Sequence, residues 1–105
     1  MVHRKKEEKL LDLLNAARGG DLNKTKLYYK FNSSHSCFKR FFDFAYRRGY
    51  ISVDERGKYS LTSKGFDISE RLENYENMVQ RAEEAAVRAE NEREKIKKDY
   101  GLQRL

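Results

Sequence analysis

The amino-acid sequence predicts a mostly helical α+β protein with three short helices, a two-stranded hairpin and one long C-terminal helix. Apolar residues recur three and four positions apart through most of the chain, which is the spacing of one helix face. The period changes to two only between positions 50 and 61, where a glycine-containing turn separates two short alternating runs. Proline is absent, so no predicted helix is interrupted by a proline kink.

The first two predicted helices lie on either side of a glycine pair. Residues 4–18 form an amphipathic helix with four leucines and an alanine on its apolar side. Gly19 and Gly20 end this helix, and residues 21–23 supply a turn and a cap. Residues 24–31 form a second, short helix whose lysines and threonine are left on the outside.

The third predicted helix lies within residues 32–49, and its two faces require different surroundings. Four apolar residues share one face, and hydroxyl-bearing and basic residues share the other. Ser33 and Ser34 are candidate caps, and Gly49 is placed to end the helix. A solvated surface helix has the same pattern, so the flanking segments decide between the two interpretations. The apolar face consists of Phe38, Phe41, Phe42 and Ala45.

A polar turn and a hairpin complete the predicted head of the molecule. Residues 32–34 join the second and third helices, which gives a helix-turn-helix arrangement. Residues 50–53 and 59–61 alternate as two strands, with Arg56 and Lys58 near the tip of the turn between them. Three helices followed by such a hairpin make a winged helix-turn-helix, whose second paired helix enters the major groove of DNA.

The order of residues from 21 to 65, DLNKTKLYYKFNSSHSCFKRFFDFAYRRGYISVDERGKYSLTSKG, resembles the winged-helix core of small archaeal DNA-binding proteins. With the long helix that follows, the resemblance extends to the "ten-a" chromatin proteins and to winged-helix proteins of archaeal viruses and plasmids. It implies DNA binding and an antiparallel dimer. The chain departs from that pattern in its phenylalanine-rich third helix and in His35 and Cys37 near the start of that helix. The matching positions are Lys24-Thr25-Lys26, Ser34, Gly49-Tyr50-Ile51, Gly57-Lys58-Tyr59 and Leu61-Thr62-Ser63-Lys64-Gly65.

Charge is distributed unevenly along the chain. Residues 1–66 contain 15 Lys and Arg against 7 Asp and Glu, whereas residues 67–105 contain 8 against 10, which together give the net +6. A positive excess of this size attracts polyanions, so nucleic acid or an anionic membrane surface is the favoured class of partner. The mean hydropathy of −1.00 indicates that the apolar residues cannot bury the whole chain.

The C-terminal region predicts a dimerising helix. We expect two domains, a DNA-binding head over 1–61 and a coiled-coil helix over 62–105. Ten residues of this helix are separated by alternating steps of four and three, which is a heptad seam of about 48 Å at 1.5 Å per residue. A monomeric charged helix is the alternative, and parallel pairing remains open beside the antiparallel pairing that the resemblance implies. The seam consists of Ile68, Leu72, Tyr75, Val79, Ala82, Ala86, Ala89, Arg93, Ile96 and Tyr100.

The predicted function is binding of double-stranded DNA by a homodimer, as a transcriptional regulator or a chromatin-like architectural protein. Arg40 is the clearest candidate for reading a base, through guanine. Alternatives are an assembly module whose winged helix no longer binds DNA, and a binder of single-stranded nucleic acid. The predicted DNA-contacting residues are Lys24, Thr25, Lys26, Ser34, His35, Ser36, Lys39, Arg40, Arg47, Arg56 and Lys58.

Other functions find little support in the sequence. His35, Cys37 and His3 lack the spacing of a zinc site, and no base or oxyanion site accompanies the cysteine, so we expect no metal, no cofactor and no enzymatic activity. No small-molecule substrate is indicated. The chain has neither a membrane-spanning apolar run nor a signal peptide, and its lone cysteine fits a reducing compartment. We therefore expect a soluble, cytoplasmic, nucleoid-associated protein.

Overall fold

The computed structural model describes residues 5–101 and contains four helices and one hairpin within them. The order is α1 (Lys5–Arg18), α2 (Lys24–Phe31), α3 (His35–Arg47), β1 (Ile51–Val53), β2 (Tyr59–Leu61) and α4 (Ser63–Tyr100). The predicted elements and their order are therefore confirmed. The chain forms two compact units, the first ending at Glu73 and the second beginning at Asn74, so the start of α4 belongs to the first unit.

The core of the first unit is built from one face of each element. It joins three leucines, two alanines and one phenylalanine of α1 and α2 with the aromatic face of α3 and one residue from each strand. Tilted ring pairs connect its aromatic members, such as Phe38 and Phe42 with centroids 5.3 Å apart. The buried residues are Leu13, Leu14, Ala16, Ala17, Leu27, Phe31, Phe38, Phe41, Phe42, Ala45, Ile51 and Leu61.

The hairpin that follows α3 is antiparallel, and each of its strands contributes one residue to the core. Ile51 pairs with Leu61 and Val53 pairs with Tyr59. Ile51 and Leu61 are buried, whereas Val53 is 39% exposed because it lies beside the turn of the hairpin. The loop after α1 adds one more pairing, in which the Tyr59 N–H donates to the Leu22 carbonyl at 2.8 Å. The segment between α1 and α2 is thereby fixed against the hairpin.

The start of α4 is fastened to the rest of the first unit by polar contacts. Thr62 caps the helix, because its Oγ1 accepts the Gly65 N–H at 3.0 Å and donates to the Gly49 carbonyl. One turn further, Arg18 Nη2 donates to Ser69 Oγ at 2.8 Å, and that buried hydroxyl donates to the Phe66 carbonyl. These contacts satisfy the only buried polar side chain of the described core.

Candidate nucleic-acid interface

The α2–α3 pair is shaped by side-chain caps at both helix starts. Asn23 Oδ1 accepts the N–H of Lys26 at 2.8 Å, and Ser34 Oγ accepts the N–H of Cys37 at 3.2 Å. Asn32 ends α2 in the left-handed conformation with a φ of 57°, which asparagine adopts more readily than most residues. Local hydrogen bonds of these three residues therefore set the tight turn of the helix-turn-helix.

The two faces of α3 are divided as the periodicity predicts. The phenylalanines and the alanine of the apolar face are at most 8% exposed. The opposite face is exposed along the length of the helix and carries three cations. Because the three cations of this face are exposed, their side chains are open to an external partner. The exposed residues of that face are His35, Ser36, Lys39, Arg40 and Arg47.

Two of the predicted DNA-contacting cations lie over aromatic rings of the core. The Lys24 Nζ is 4.6 Å from the centroid of the Phe42 ring, and the Arg40 guanidinium carbon is 5.3 Å from that of Phe41. A ring face attracts a cation without cancelling its charge. Both cations are therefore held at the α2–α3 surface and keep their charge for an anionic partner.

The hydroxyl and imidazole groups at the start of α3 have partial partners. Ser34 Oγ lies 3.4 Å from Ser36 Oγ in addition to its capping bond. The His35 ring meets the edge of Tyr28, with centroids 5.6 Å apart. A serine hydroxyl that accepts one bond still has its own proton to donate. On the neighbouring helix α2, Thr25 and Lys26 are also exposed.

The wing carries Arg56 in its turn, as predicted, next to two carboxylates. Its Nη2 lies 2.9 Å from Asp21 Oδ1 and 3.1 Å from Asp54 Oδ2, so two carboxylates surround the guanidinium. The hydrogen bond that the Lys58 N–H donates to Asp54 is the main reason that the pKa of this carboxyl is lowered, and the hydrogen bond that Arg56 donates to Asp54 raises the pKa of the guanidinium. Asp21 is distant from Arg56 in sequence but adjacent in the fold, so the guanidinium makes a wing-to-loop contact, and its phosphate contact stays a prediction. Lys58 remains half-exposed beside it.

Sequence reasoning missed Asp43, which lies on the outer face of α3 among the cations. It is four residues after Lys39 and four before Arg47, a spacing that places all three on one side of the helix. That spacing was the available signal. Asp43 is half-buried and contributes to an open depression of about 420 Å³. The other residues of the depression are Arg40, Phe44, Arg47 and Arg48.

Comparison with known protein families agrees with this geometry. A family model described as winged helix-turn-helix matches residues 3–80. The chain belongs to the winged helix-turn-helix family.

One solved structure extends the comparison to the long helix. The crystal structure of Sso10a-2, a DNA-binding protein from Sulfolobus solfataricus, is similar to this winged-helix chain with a TM-score of 0.71 and 18% identity. The alignment covers 84% of this chain and 95% of that chain. The resemblance to archaeal winged-helix DNA-binding proteins is therefore confirmed, and at this identity it is a likeness of fold. No curated protein matches the sequence.

The predicted seam of α4 divides between two environments. Ile68 and Leu72 pack against the core of the winged helix itself. Further along, Tyr75 and Ile96 are 43% and 42% exposed. Met78, which the heptad assignment omitted, is 67% exposed and flanks the same stripe. The other exposed or half-exposed seam residues are Val79, Ala82, Ala86, Ala89, Arg93 and Tyr100.

Residues of other chemical interest are few in the described chain. Within residues 5–101, no three His, Cys, Asp or Glu side chains come together as a metal ion requires. Cys37 is a half-buried free thiol at the start of α3. Among the described helices, none has the length and apolar character needed to cross a membrane.

Proposed function

We propose that this winged helix binds double-stranded DNA with α3 in the major groove. The observation that carries the proposal is the face of α3 on which Lys39, Arg40 and Arg47 are exposed, in addition to the exposed cations of α2. The major groove admits an α-helix, and basic side chains supply most of the contacts to phosphates. That the structurally similar Sso10a-2 is a DNA-binding protein supports the same conclusion.

Each element has a separate part in the proposed complex. The start of α3 brings Ser34, His35 and Ser36 toward base edges, and Arg40 is placed to donate to guanine O6 and N7. On α2, Lys24, Thr25 and Lys26 contact the backbone. Only Lys58 is left to contact phosphate from the wing, because Arg56 is engaged by two carboxylates.

We further propose that the protein is a homodimer joined by α4 from Tyr75 onward. Exposed apolar residues at heptad spacing lose contact with water when a second helix covers them, and the seam here has no other use within the described chain. Alanines at its centre allow close approach of two backbones. An antiparallel pair centred near Glu84 sets Arg93 opposite Tyr75, where the guanidinium gains a cation–π contact. A parallel pair would instead place two Arg93 side chains together.

The salt dependence of DNA binding tests the proposal. Six cations per chain are available for phosphates once Arg56 is set aside, so affinity for a random duplex should fall about 10³-fold between about 50 and 200 mM salt. Fluorescence anisotropy with a labelled duplex measures the slope. The six are Lys24, Lys26, Lys39, Arg40, Arg47 and Lys58.

A matched pair of triple variants separates the proposed face from general charge. Replacement of Lys39, Arg40 and Arg47 by alanine should abolish most binding. Replacement of three basic residues of α4 by alanine removes the same charge and should leave the affinity within about threefold of the wild type. These three residues lie outside α3, and helical spacing places them away from the seam. The control residues are Arg81, Arg88 and Lys95. Equal losses in both variants, or no retardation of duplex by the wild type at micromolar protein, would contradict DNA binding through α3 and favour an assembly role.

Two further measurements refine the role. Selection from a random duplex pool should enrich one motif if the protein is a regulator and none if it is a packaging protein. A competing unpaired strand tests the alternative suggested by Tyr29 and Tyr46, which are 73% and 48% exposed and could stack on bases. Displacement of duplex by that strand at equal concentration would favour single-stranded nucleic acid as the ligand.

Cysteine cross-linking tests the dimer and its orientation. In a chain whose native cysteine is replaced by serine, Ala89→Cys should form no covalent dimer, because residue 89 faces residue 79 in the antiparallel pair. The double variant with Val79→Cys should cross-link readily. A covalent dimer of the Ala89→Cys chain alone would establish parallel helices, and a monomeric mass by sedimentation would refute self-association.

A further inference from the structure

Asp43 is the only acidic residue of α3 and occupies the face that we propose to enter DNA. It lies between Lys39 and Arg40 on one side and Arg47 on the other, in the order of the helix turns. A carboxylate there repels the phosphates that the neighbouring cations attract. A surface whose sole task was to hold phosphates would gain from an uncharged residue at this position.

No contact within the protein accounts for the carboxylate. Among residues 5–101, Asp43 forms no hydrogen bond or ion pair, although Lys39 and Arg40 lie four and three positions before it and Arg47 lies four positions after it. The carboxylates of the wing behave differently, since Asp21 and Asp54 both bind Arg56. Position 43 is also in the middle of the helix, where a carboxylate has no capping or dipole role.

The chemistry of the base edges supplies a partner for such a group. An ionised carboxylate only accepts hydrogen bonds, and in the major groove the exocyclic amine of cytosine is a donor without a neighbouring acceptor on the same base. Guanidinium groups only donate, and guanine presents two acceptors. An arginine, a carboxylate and an arginine in succession along α3 therefore match the acceptor and donor groups of neighbouring G and C bases.

We infer that Asp43 determines sequence specificity by accepting a hydrogen bond from the N4 amine of a cytosine in the major groove. The inference rests on the proposed function and adds to it the kind of site that α3 prefers. Arg40 and Arg47, which line the same depression as Asp43, would contact the neighbouring base pairs.

The test begins with selection from a random duplex pool by the wild-type protein, followed by affinity measurements on the enriched duplex. Changing one C·G pair of that site to T·A replaces the amine by an acceptor, and should weaken wild-type binding about tenfold. Asp43→Ala should bind both duplexes equally. Asp43→Asn should instead prefer A·T at that position, because an amide pairs with adenine N6 and N7. Circular dichroism checks that both variants are folded.

Asp67→Asn is the matched control, because it removes the same charge from an exposed position on α4. It should keep the tenfold discrimination. If Asp43→Ala and Asp43→Asn also keep the tenfold discrimination between the two duplexes and raise the affinity for both equally, Asp43 acts through charge alone and the inference is wrong. Enrichment of no motif by a wild type that binds duplex tightly also overturns the inference and leaves DNA binding intact. Absence of wild-type binding overturns both proposals, and the first measurement of the series detects it.

Discussion

Gly65 lies against the backbone of Tyr50, which precedes β1, and replacing this glycine by alanine should destabilise the first unit. A methyl group at this position would overlap the carbonyl oxygen of Tyr50 and lie 3.1 Å from Leu61 Cδ2. The same Tyr50 carbonyl accepts the Thr62 N–H at 3.0 Å, so the backbone cannot retreat without weakening that bond. The helix start must therefore shift away from the core.

The size of the effect follows from three opposing contributions. Overpacking against backbone costs about 1–3 kcal/mol, and weakening the Thr62 hydrogen bond costs about 1 kcal/mol. The higher helix propensity of alanine returns about 1 kcal/mol. The free energy of unfolding should thus fall by about 1–3 kcal/mol, which lowers the melting temperature of a unit of this size by about 4–8 °C per kcal/mol.

Near-ultraviolet circular dichroism during urea denaturation is the appropriate assay, because it reports the packed aromatic rings rather than the long helix. Gly19→Ala is the matched control, since a Cβ at Gly19 meets nothing within 4 Å. Its free energy of unfolding should stay within about 0.5 kcal/mol of the wild type. If Gly65→Ala is as stable as this control, the close packing of α4 on Tyr50 is wrong.

Three further predictions follow from particular contacts. One phosphate contact contributes about 0.9 to the slope of log affinity against log salt. Arg56→Ala should lower this slope by less than half of that amount, because the guanidinium is already paired with two carboxylates. A change as large as that from Lys24→Ala would refute this interpretation of the wing. Thr62→Ala should cost about 1–2 kcal/mol of unfolding free energy in urea titrations, since it removes the α4 cap, and Thr62→Ser should restore most of it. Ala86→Glu should weaken self-association at least about tenfold in sedimentation equilibrium, because it buries a charge in the seam, whereas Val87→Glu on the opposite side should not. Equal dimerisation by these last two variants would exclude the proposed seam.

The proposed DNA interface contains residues whose exposure the sequence predicted and residues whose interactions it did not predict. Lys39, Arg40 and Arg47 were predictable, because helical spacing alone places them opposite the phenylalanine face. Asp43 shares their spacing, but its lack of a partner became apparent only when the surrounding side chains were placed. Arg56 is the reverse case, since its charge suggested a free phosphate contact until Asp21 was found beside it.

The long helix shows the same division. A heptad pattern continues through Ile68, Leu72 and Tyr75 without a visible break. The structure assigns Ile68 and Leu72 to the core of the first unit. A periodic pattern predicts that one apolar helix face is buried, but it does not predict which surface packs against that face.

The sequence by itself determined the elements of this protein: four helices, a hairpin, their order and the caps at the starts of α2 and α3. It could do so because periodicity, capping and turn chemistry act between residues fewer than eight positions apart. The tertiary structure alone decided that Arg56 is bound to Asp21 and that α4 begins by packing against Tyr50. Those contacts join residues that are distant along the chain, and their partners are specified only when the core brings the elements together.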